Sequence, residues 1–340
     1  MLEKPDLPEG KIVACLEREH RLCISEISFL PLGADRNTAV YRAIAGDETP
    51  YFVKLRRGAF DELSVSLPRF LSDQGIGHIL APLTTETGQL WANLDDFKLI
   101  LYPFVAGRNG YEVPLSERVW VELGRTLKHV HAAVVPPGLA RAMRRETYST
   151  QWCQVAMTFL ERIEQETYDD PVSAELAAFL KAKRDGILDL TGRVKRLAAV
   201  LRGRTFESVL CHADMHAGNI LMAAGTFYLI DWDDPILAPK ERDLMFVGGG
   251  LMGGGRTPQE EEDLFYQGYG PTPIDPESLA YYRYERIVQD IALFCEQIFL
   301  TDGASPDRAQ SLQYLQSNFV PNGTLAIAYG SDSTQAPRQH

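Results

Sequence analysis

The chain has 340 residues, 45% of them hydrophobic and 24% charged, which is ordinary for a folded enzyme and enough for one large or two unequal domains. Its formal net charge of −12 argues against nucleic acid as the main partner, and fits a cationic ligand or simple solubility. The five cysteines form no CxxC pair, and neither a leader nor a membrane-spanning apolar stretch is evident, so we expect a cytoplasmic protein.

The first hundred residues have a β-rich pattern that contains one helix. Strand-like segments separated by turn-forming residues lie at residues 22–32, 38–44, 51–55, 89–94 and 97–104. Between the third and the fourth segment, helical spacing from about Phe60 to Asp73 predicts a helix, although Pro68 weakens its continuity. We therefore expect a small β-rich lobe with one main helix.

After residue 104 the spacing of apolar residues becomes helical. The predicted helices cover residues 116–133, 151–167, 173–201, 240–246, 259–269 and 277–300. Ser116 is a suitable N-cap for the first of these helices. A short β-rich stretch before residue 240 interrupts the series. The layout is therefore α+β, with a β-rich lobe at residues 1–104 and a larger, mostly helical lobe at residues 105–340.

The β-rich stretch of the second lobe carries the clearest functional motif. It reads His212-x-Asp214-x4-Asn219, and Asp231 follows at the end of an apolar strand. Phosphoryl transfer needs a carboxylate that orients the acceptor hydroxyl and takes its proton, together with oxygen ligands for magnesium ions. Asp214 is the expected base, and Asn219 and Asp231 are the expected metal ligands. Together with the layout, the motif predicts a two-lobed, protein-kinase-like fold.

Two residues near this motif have more than one interpretation. His212 either holds the loop in shape by hydrogen-bonding its backbone, which is the favoured interpretation, or takes part in acid–base chemistry. Asp233 points to the same side as Asp231 if the chain stays extended. It is then a second metal ligand, a ligand of a metal-bound water, or a helix cap.

A lysine on a predicted strand completes the pattern. Lys54 closes the segment Tyr51-Phe-Val-Lys54, the position from which a kinase lysine reaches the nucleotide phosphates. Such a lysine needs a carboxylate from the next helix, and Glu62 is the candidate, with Asp61 behind it. The chain has no GxGxxG or GxxxxGK[ST] motif, so backbone amides of the turn that contains Gly33 would have to cradle phosphate.

These segments resemble a known family. The runs Cys211–Ile220 and Ile230–Asp233 are similar to the signature of the aminoglycoside phosphotransferases and related small-molecule kinases. Similarity to the members that phosphorylate spectinomycin extends over nearly the whole chain, through residues 33–35, 237–250 and 283–292. The resemblance implies a kinase that uses ATP and Mg²⁺, and that transfers the γ-phosphate to a ring hydroxyl of a cationic aminocyclitol such as spectinomycin, which confers resistance.

The resemblance also implies roles for individual residues. Asp214, Asn219, Asp231 and Lys54 keep the roles given above, and the connector Tyr102-Pro103-Phe104 would present backbone groups to adenine. Candidate acidic contacts to the ammonium groups of the acceptor are Asp35, Glu285 and Asp290.

Alternatives remain for the acceptor and for activity itself. Arg286 and Asp290 form an i,i+4 pair on a predicted helix, so these acidic residues could equally be plain helix surface. The motif fits a kinase of another aminoglycoside or of a choline-like amino alcohol as well. A nucleotide-binding pseudokinase is a third interpretation, and the intact motif argues against it. The sequence leaves the oligomeric state open.

Overall fold

The computed structural model of the protein describes residues 4–32, 37–301 and 306–332. By their contacts, these residues divide into two compact units. The first unit contains the chain up to Leu115 together with Ala133–Met143 and Gly218–Pro235. The second contains Ser116–Ala132, Arg144–Ala217 and the chain from Ile236 onward. The first unit is therefore discontinuous in sequence, and its first segment extends past residue 104.

The predicted elements have bounds close to the observed ones, and among the residues that it describes the structure adds four helices that the sequence did not predict, at residues 9–20, 137–142, 306–317 and 324–331. The strands are β1 (Ile24–Leu30), β2 (Thr38–Ala45), β3 (Pro50–Arg57), β4 (Ala92–Leu94), β5 (Phe97–Pro103), β6 (Arg108–Asn109), β7 (Arg144–Arg145), β8 (Val209–Cys211), β9 (Ile220–Ala223), β10 (Thr226–Leu229) and β11 (Ile236–Ala238). The helices are α1 (Glu9–His20), α2 (Leu63–Asp73), α3 (Glu117–Ala132), α4 (Pro137–Ala142), α5 (Gln151–Gln165), α6 (Pro171–Leu201), α7 (Glu241–Leu244), α8 (Pro258–Tyr269), α9 (Pro276–Phe299), α10 (Pro306–Ser317) and α11 (Thr324–Ser331).

The first unit is built on a five-stranded antiparallel sheet in the order β1-β2-β3-β5-β4. Helix α1, which the sequence analysis did not predict, packs against β1 and β4. Its residues Ile12, Cys15 and Leu16 are buried in the same core as Tyr41 of β2. These three positions have the i, i+3, i+4 spacing of a helix face. Helix α2 continues through Pro68, which is buried within it.

A small sheet of the same unit contains the hairpin β9–β10, with β6 along its other edge. The loop after α2 holds the hairpin in place. Leu229 N donates to the carbonyl oxygen of His78 at 2.7 Å, and the His78 ring stacks on Phe227 with 4.2 Å between centroids. The hairpin therefore ends at a defined point, with Leu229 two residues before Asp231, one of the predicted metal ligands.

The second unit is mostly helical. Its helix α9 packs against α5, α6, α7, α10 and α11, and tyrosines at positions 281, 282 and 284 are fully or almost fully buried. Ser116 caps α3 as predicted, since its hydroxyl accepts the backbone N–H of Val119 at 3.4 Å. Among the helices of the described ranges, none is both long and apolar enough to cross a membrane.

Candidate active site

Asn219 and Asp231 lie at the same end of the β9–β10 hairpin. In the register of the hairpin Ile220 pairs with Leu229, and the next pair outward is bonded as well, because Ile230 N donates to the Asn219 carbonyl oxygen at 3.0 Å. Asp231 follows directly. Its φ of 63° is in the left-handed region, where aspartate is one of the residues that is tolerated. The hairpin thus brings an amide and a carboxylate together, which are oxygen ligands of the kind Mg²⁺ prefers.

Two cations of β3 face the carboxylates of this cluster. Lys54 Nζ is 3.0 Å from Asp231 Oδ1 and 3.4 Å from Asp233 Oδ1, and Arg56 forms an ion pair with Asp233. Burial lowers the pKa of Lys54, but the nearby carboxylates of Asp231 and Asp233 more than reverse this, so the net shift is upward. The lysine is therefore firmly protonated and suited to binding phosphate.

The sequence also predicts that Glu62 and the connector Tyr102-Pro103-Phe104 lie near the nucleotide. Glu62 is exposed at the start of α2, and the carboxylates against Lys54 are those of Asp231 and Asp233 rather than that of Glu62. The predicted pairing of Glu62 with Lys54 is thus not formed in this structure, because Glu62 lies where α2 begins and stays in solvent. Tyr102 and Pro103 end β5, and Phe104 follows. Burial raises the pKa of Tyr102 to about 12.

In the second unit, the loop that carries Asp214 is held by a buried carboxylate. Asp243 Oδ2 accepts the backbone N–H of His212 at 2.9 Å, Oδ1 accepts that of Ala213 at 2.7 Å, and His131 Nε2 is 3.0 Å from Oδ2. Ala213 has a φ of 70°, which costs an alanine about 1–2 kcal/mol. The hydrogen bonds to Asp243 stabilise this turn, which presents the next residue, Asp214.

His212 is fully buried, and its Nδ1 accepts the backbone N–H of Asp214 at 3.3 Å. This contact fits the interpretation in which the histidine holds the loop in shape.

The Asp214 carboxylate lies against two cationic or potentially cationic groups. Arg286 Nη1 donates to Asp214 Oδ1 at 2.5 Å, and His216 Nε2 is 3.6 Å from Oδ2. Burial pushes the pKa of Asp214 up, but Arg286 and His216 outweigh burial and hold it below its ordinary value. The carboxylate is therefore ionised throughout the neutral pH range.

The three predicted acceptor contacts lie in different surroundings. Asp35 lies outside the described residues. Glu285 is buried and pairs with Arg242 at 2.8 Å. Asp290 pairs with Arg286 at 3.1 Å, as the i,i+4 spacing indicated. Their role in acceptor binding stays a prediction.

Some residues that contact predicted site residues were not identified as site residues from the sequence, among them Arg56, Asp243 and Arg286, and His131 contacts Asp243 in turn. Arg56 has a local signal, because it is two residues from Lys54 on a strand and so points to the same side. Asp243 and Arg286 contact the loop from positions far away in the sequence, and a single sequence does not reveal such contacts.

Comparison with known proteins gives a consistent result. The family model of the APH phosphotransferases, described as a phosphotransferase enzyme family, matches residues 28–282. Protein StrN of Streptomyces griseus is 26% identical over 232 residues, which are 64% of this chain and 67% of that protein.

Solved structures extend the similarity to almost the whole chain. Spectinomycin phosphotransferase APH(9)-Ia, in complex with ADP and spectinomycin, has a TM-score of 0.89 and 34% identity, covering 97% of this chain and 99% of that one. An AMP-bound complex of that enzyme has a TM-score of 0.85. Amicoumacin kinase hAmiN has a TM-score of 0.59 at 17% identity, covering 95% and 94% of the two chains, and shares the fold. The predicted α+β, kinase-like fold is confirmed.

Proposed function

Since the chain belongs to the APH phosphotransferase enzyme family, we propose that it transfers the γ-phosphate of ATP to a hydroxyl group of spectinomycin. The observation that carries this proposal is the 34% identity to spectinomycin phosphotransferase over 97% of this chain and 99% of that one. The similarity covers nearly the whole chain and so extends well beyond the catalytic motif. A relative such as hAmiN, at 17% identity, supports only the fold.

The first unit would bind the nucleotide. Lys54 is a half-buried, protonated lysine on a strand, and we assign to it the phosphates of ATP. Asn219 and Asp231 offer an amide and a carboxylate oxygen from one end of a hairpin, which suits Mg²⁺, and Asp233 is a further candidate ligand. Bound Mg²⁺ would neutralise charge on the phosphates.

The second unit would activate the acceptor. The transition state of phosphoryl transfer is loose, so the acceptor hydroxyl loses its proton late, and positioning matters more than strong basicity. Asp214 suits this role because its carboxylate is ionised and is held by charged neighbours. In the proposed step Asp214 accepts a hydrogen bond from the acceptor hydroxyl, the hydroxyl oxygen bonds to the γ-phosphorus, and the proton passes to the Asp214 carboxylate as ADP leaves.

The acceptor would be recognised as a cation. The candidate contacts remain those predicted from the sequence, and two of them, Glu285 and Asp290, already form ion pairs with arginines. The net charge of −12 is of the right sign to attract a cationic acceptor.

An ATP-consumption screen against spectinomycin, other aminoglycosides and choline tests the proposal. We expect turnover with spectinomycin, and a loss of about a thousand-fold in kcat for Asp214→Ala, because the group that accepts the proton is removed. Turnover on choline but not on spectinomycin would overturn the proposed acceptor. Substrate-dependent turnover that is unchanged in Asp214→Ala would overturn the assigned base.

A further inference from the structure

Arg286 of α9 brings a positive charge to the catalytic carboxylate from a distant part of the chain. Its Nη1 donates to Asp214 Oδ1 at 2.5 Å, although the two residues are 72 positions apart. The catalytic loop itself has no lysine or arginine at this point, because the four residues between Asp214 and Asn219 are Met-His-Ala-Gly. His216, the titratable residue among them, faces the other carboxylate oxygen with its Nε2 3.6 Å from Asp214 Oδ2, so Arg286 makes the closer contact.

The guanidinium of Arg286 is fixed in turn by other residues of the second unit. Its Nε donates to Asp290 Oδ1 at 3.1 Å, and Asn318 Nδ2 donates to Asp290 Oδ2 at 3.2 Å. The carbon Cζ of Arg286 lies 5.9 Å from the centre of the Phe246 ring. Asn318 is buried at the carboxyl end of α10. A chain of contacts thus runs from α10 through Asp290 and Arg286 to Asp214.

A carboxylate needs such support if its orientation is to be defined. Rotation of an aspartate about χ2 is soft, so one ion pair at a single oxygen decides where the other oxygen points. In phosphoryl transfer a misplacement of about 1 Å can cost about 100-fold in rate. A catalytic group stays within such limits when the side chains that support it are themselves held in place.

We infer that Arg286 is a positioning residue that orients the Asp214 carboxylate for the acceptor hydroxyl, and that Asp290 and Asn318 act through Arg286. The inference rests on the proposed function, and it gives Asp290 a role other than contact with the acceptor. Arg286 also opposes the effect of burial on Asp214, which by itself raises the pKa of that carboxyl. Among the residues that the structure describes, the charged or titratable groups that face Asp214 include Arg286, His216 and, behind Arg286, Asp290.

The test compares Arg286→Gln, Arg286→Lys, Asp290→Asn and the double variant R286Q/D290N. The matched control is Arg162→Gln, which removes another arginine of an i,i+4 ion pair on a helix of the same unit. For R286Q we expect kcat to fall about 100-fold while KM for ATP changes less than about threefold. The acid limb of its kcat–pH profile should move to higher pH, because His216 alone, without Arg286, then opposes the rise that burial causes in the pKa of Asp214. R286K should recover part of kcat, and the control should match the wild type.

Non-additivity separates the two roles of Asp290. If Asp290 acts through Arg286, D290N lowers kcat with little change in the KM of the acceptor, and the double variant is no worse than R286Q. A raised acceptor KM in D290N, together with additive losses in the double variant, would make Asp290 a direct acceptor contact and contradict the inference. R286Q with wild-type kcat and an unchanged pH profile would contradict it as well.

Crystal structures of the wild type and R286Q without acceptor provide a test that does not depend on activity. We expect the Asp214 carboxylate to change its orientation in R286Q, and an unmoved carboxylate would overturn the inference. If the wild type binds nucleotide but turns over none of the screened acceptors, the proposed function fails, and these two structures still decide the role of Arg286.

Discussion

Lys54 is largely shielded from solvent and yet charged, a combination that requires nearby groups of opposite charge. A lysine in a protein interior loses hydration, and this loss lowers its pKa unless carboxylates compensate. Here Asp231 and Asp233 compensate in full, so Lys54 stays charged. In the proposed function the same ammonium group would bind phosphate oxygens, and it would share the two carboxylates with Mg²⁺.

Replacing Lys54 should therefore weaken nucleotide binding directly. For Lys54→Met we expect about 2 kcal/mol of lost affinity, or about 30-fold in Kd, since a hydrogen bond to a charged group is removed. Titration with a fluorescent ATP analogue measures this without any acceptor. Lys98→Met is the control, because Lys98 lies on β5 of the same sheet and its amino group contacts the exposed side chain of Asn93. An equal loss in both variants would argue against a specific role for Lys54.

Two residues at the site have a backbone conformation that few side chains favour. Asp231, a predicted metal ligand, has a φ of 63°, and Ala213, which directly precedes Asp214, has a φ of 70°. Such strain persists only where surrounding contacts hold it. The contacts are the Asp243 carboxylate at Ala213, and the hairpin hydrogen bond of Ile230 at Asp231. The sequence gives no sign of either conformation, because neither residue is a glycine.

At the scale of elements, two glycines allow α3 and α8 to pack in close contact. A Cβ atom at Gly268 would lie 1.8 Å from the carbonyl oxygen of Val121, and one at Gly124 would lie 2.1 Å from that of Phe265. Both distances are far below van der Waals contact, and the obstructing atoms belong to the backbone. The helices would have to move apart to accept any other residue.

Gly268→Ala should destabilise the protein by about 3 kcal/mol, because overpacking forces a helix to shift. The control is Gly192→Ala in α6, where nothing lies within 4 Å of the added carbon. That change should stabilise the protein by up to about 1 kcal/mol, since alanine is the better helix former. Thermal or denaturant unfolding of the two variants measures the difference, and similar stability for both would contradict the close packing of α3 against α8.

Helix α9 shows which properties of an element the sequence predicts and which it does not. Helix α9 was predicted at residues 277–300 and spans Pro276–Phe299, because its periodicity is a local property. The alternative that Glu285 is plain helix surface is nevertheless wrong, because this residue is buried. Helices surround α9 on several sides, so Glu285 is buried against Arg242 rather than lying on an exposed flank. Contacts between distant elements determine whether such a residue is buried, and a single sequence does not reveal those contacts.

At the scale of the whole molecule, charge provides a test of acceptor class that needs no variant. A chain of net charge −12 attracts a cationic acceptor and repels anionic ATP, and added salt screens both interactions. The Debye length is about 10 Å at 0.1 M salt and about 3 Å at 1 M. Salt should therefore weaken attraction to the acceptor while it relieves repulsion of the nucleotide.

We therefore expect KM for spectinomycin to rise several-fold between about 0.02 and 0.5 M NaCl, as screening removes the attraction. KM for ATP should stay level or fall over the same range, and kcat should change little, because charges in contact at the site are screened less than distant ones. Steady-state kinetics with each substrate varied in turn measures both constants, so ATP serves as the control for general salt effects. If KM for both substrates rose in parallel, the acidic surface would serve solubility alone, and acceptor recognition would have to come from contacts at the site.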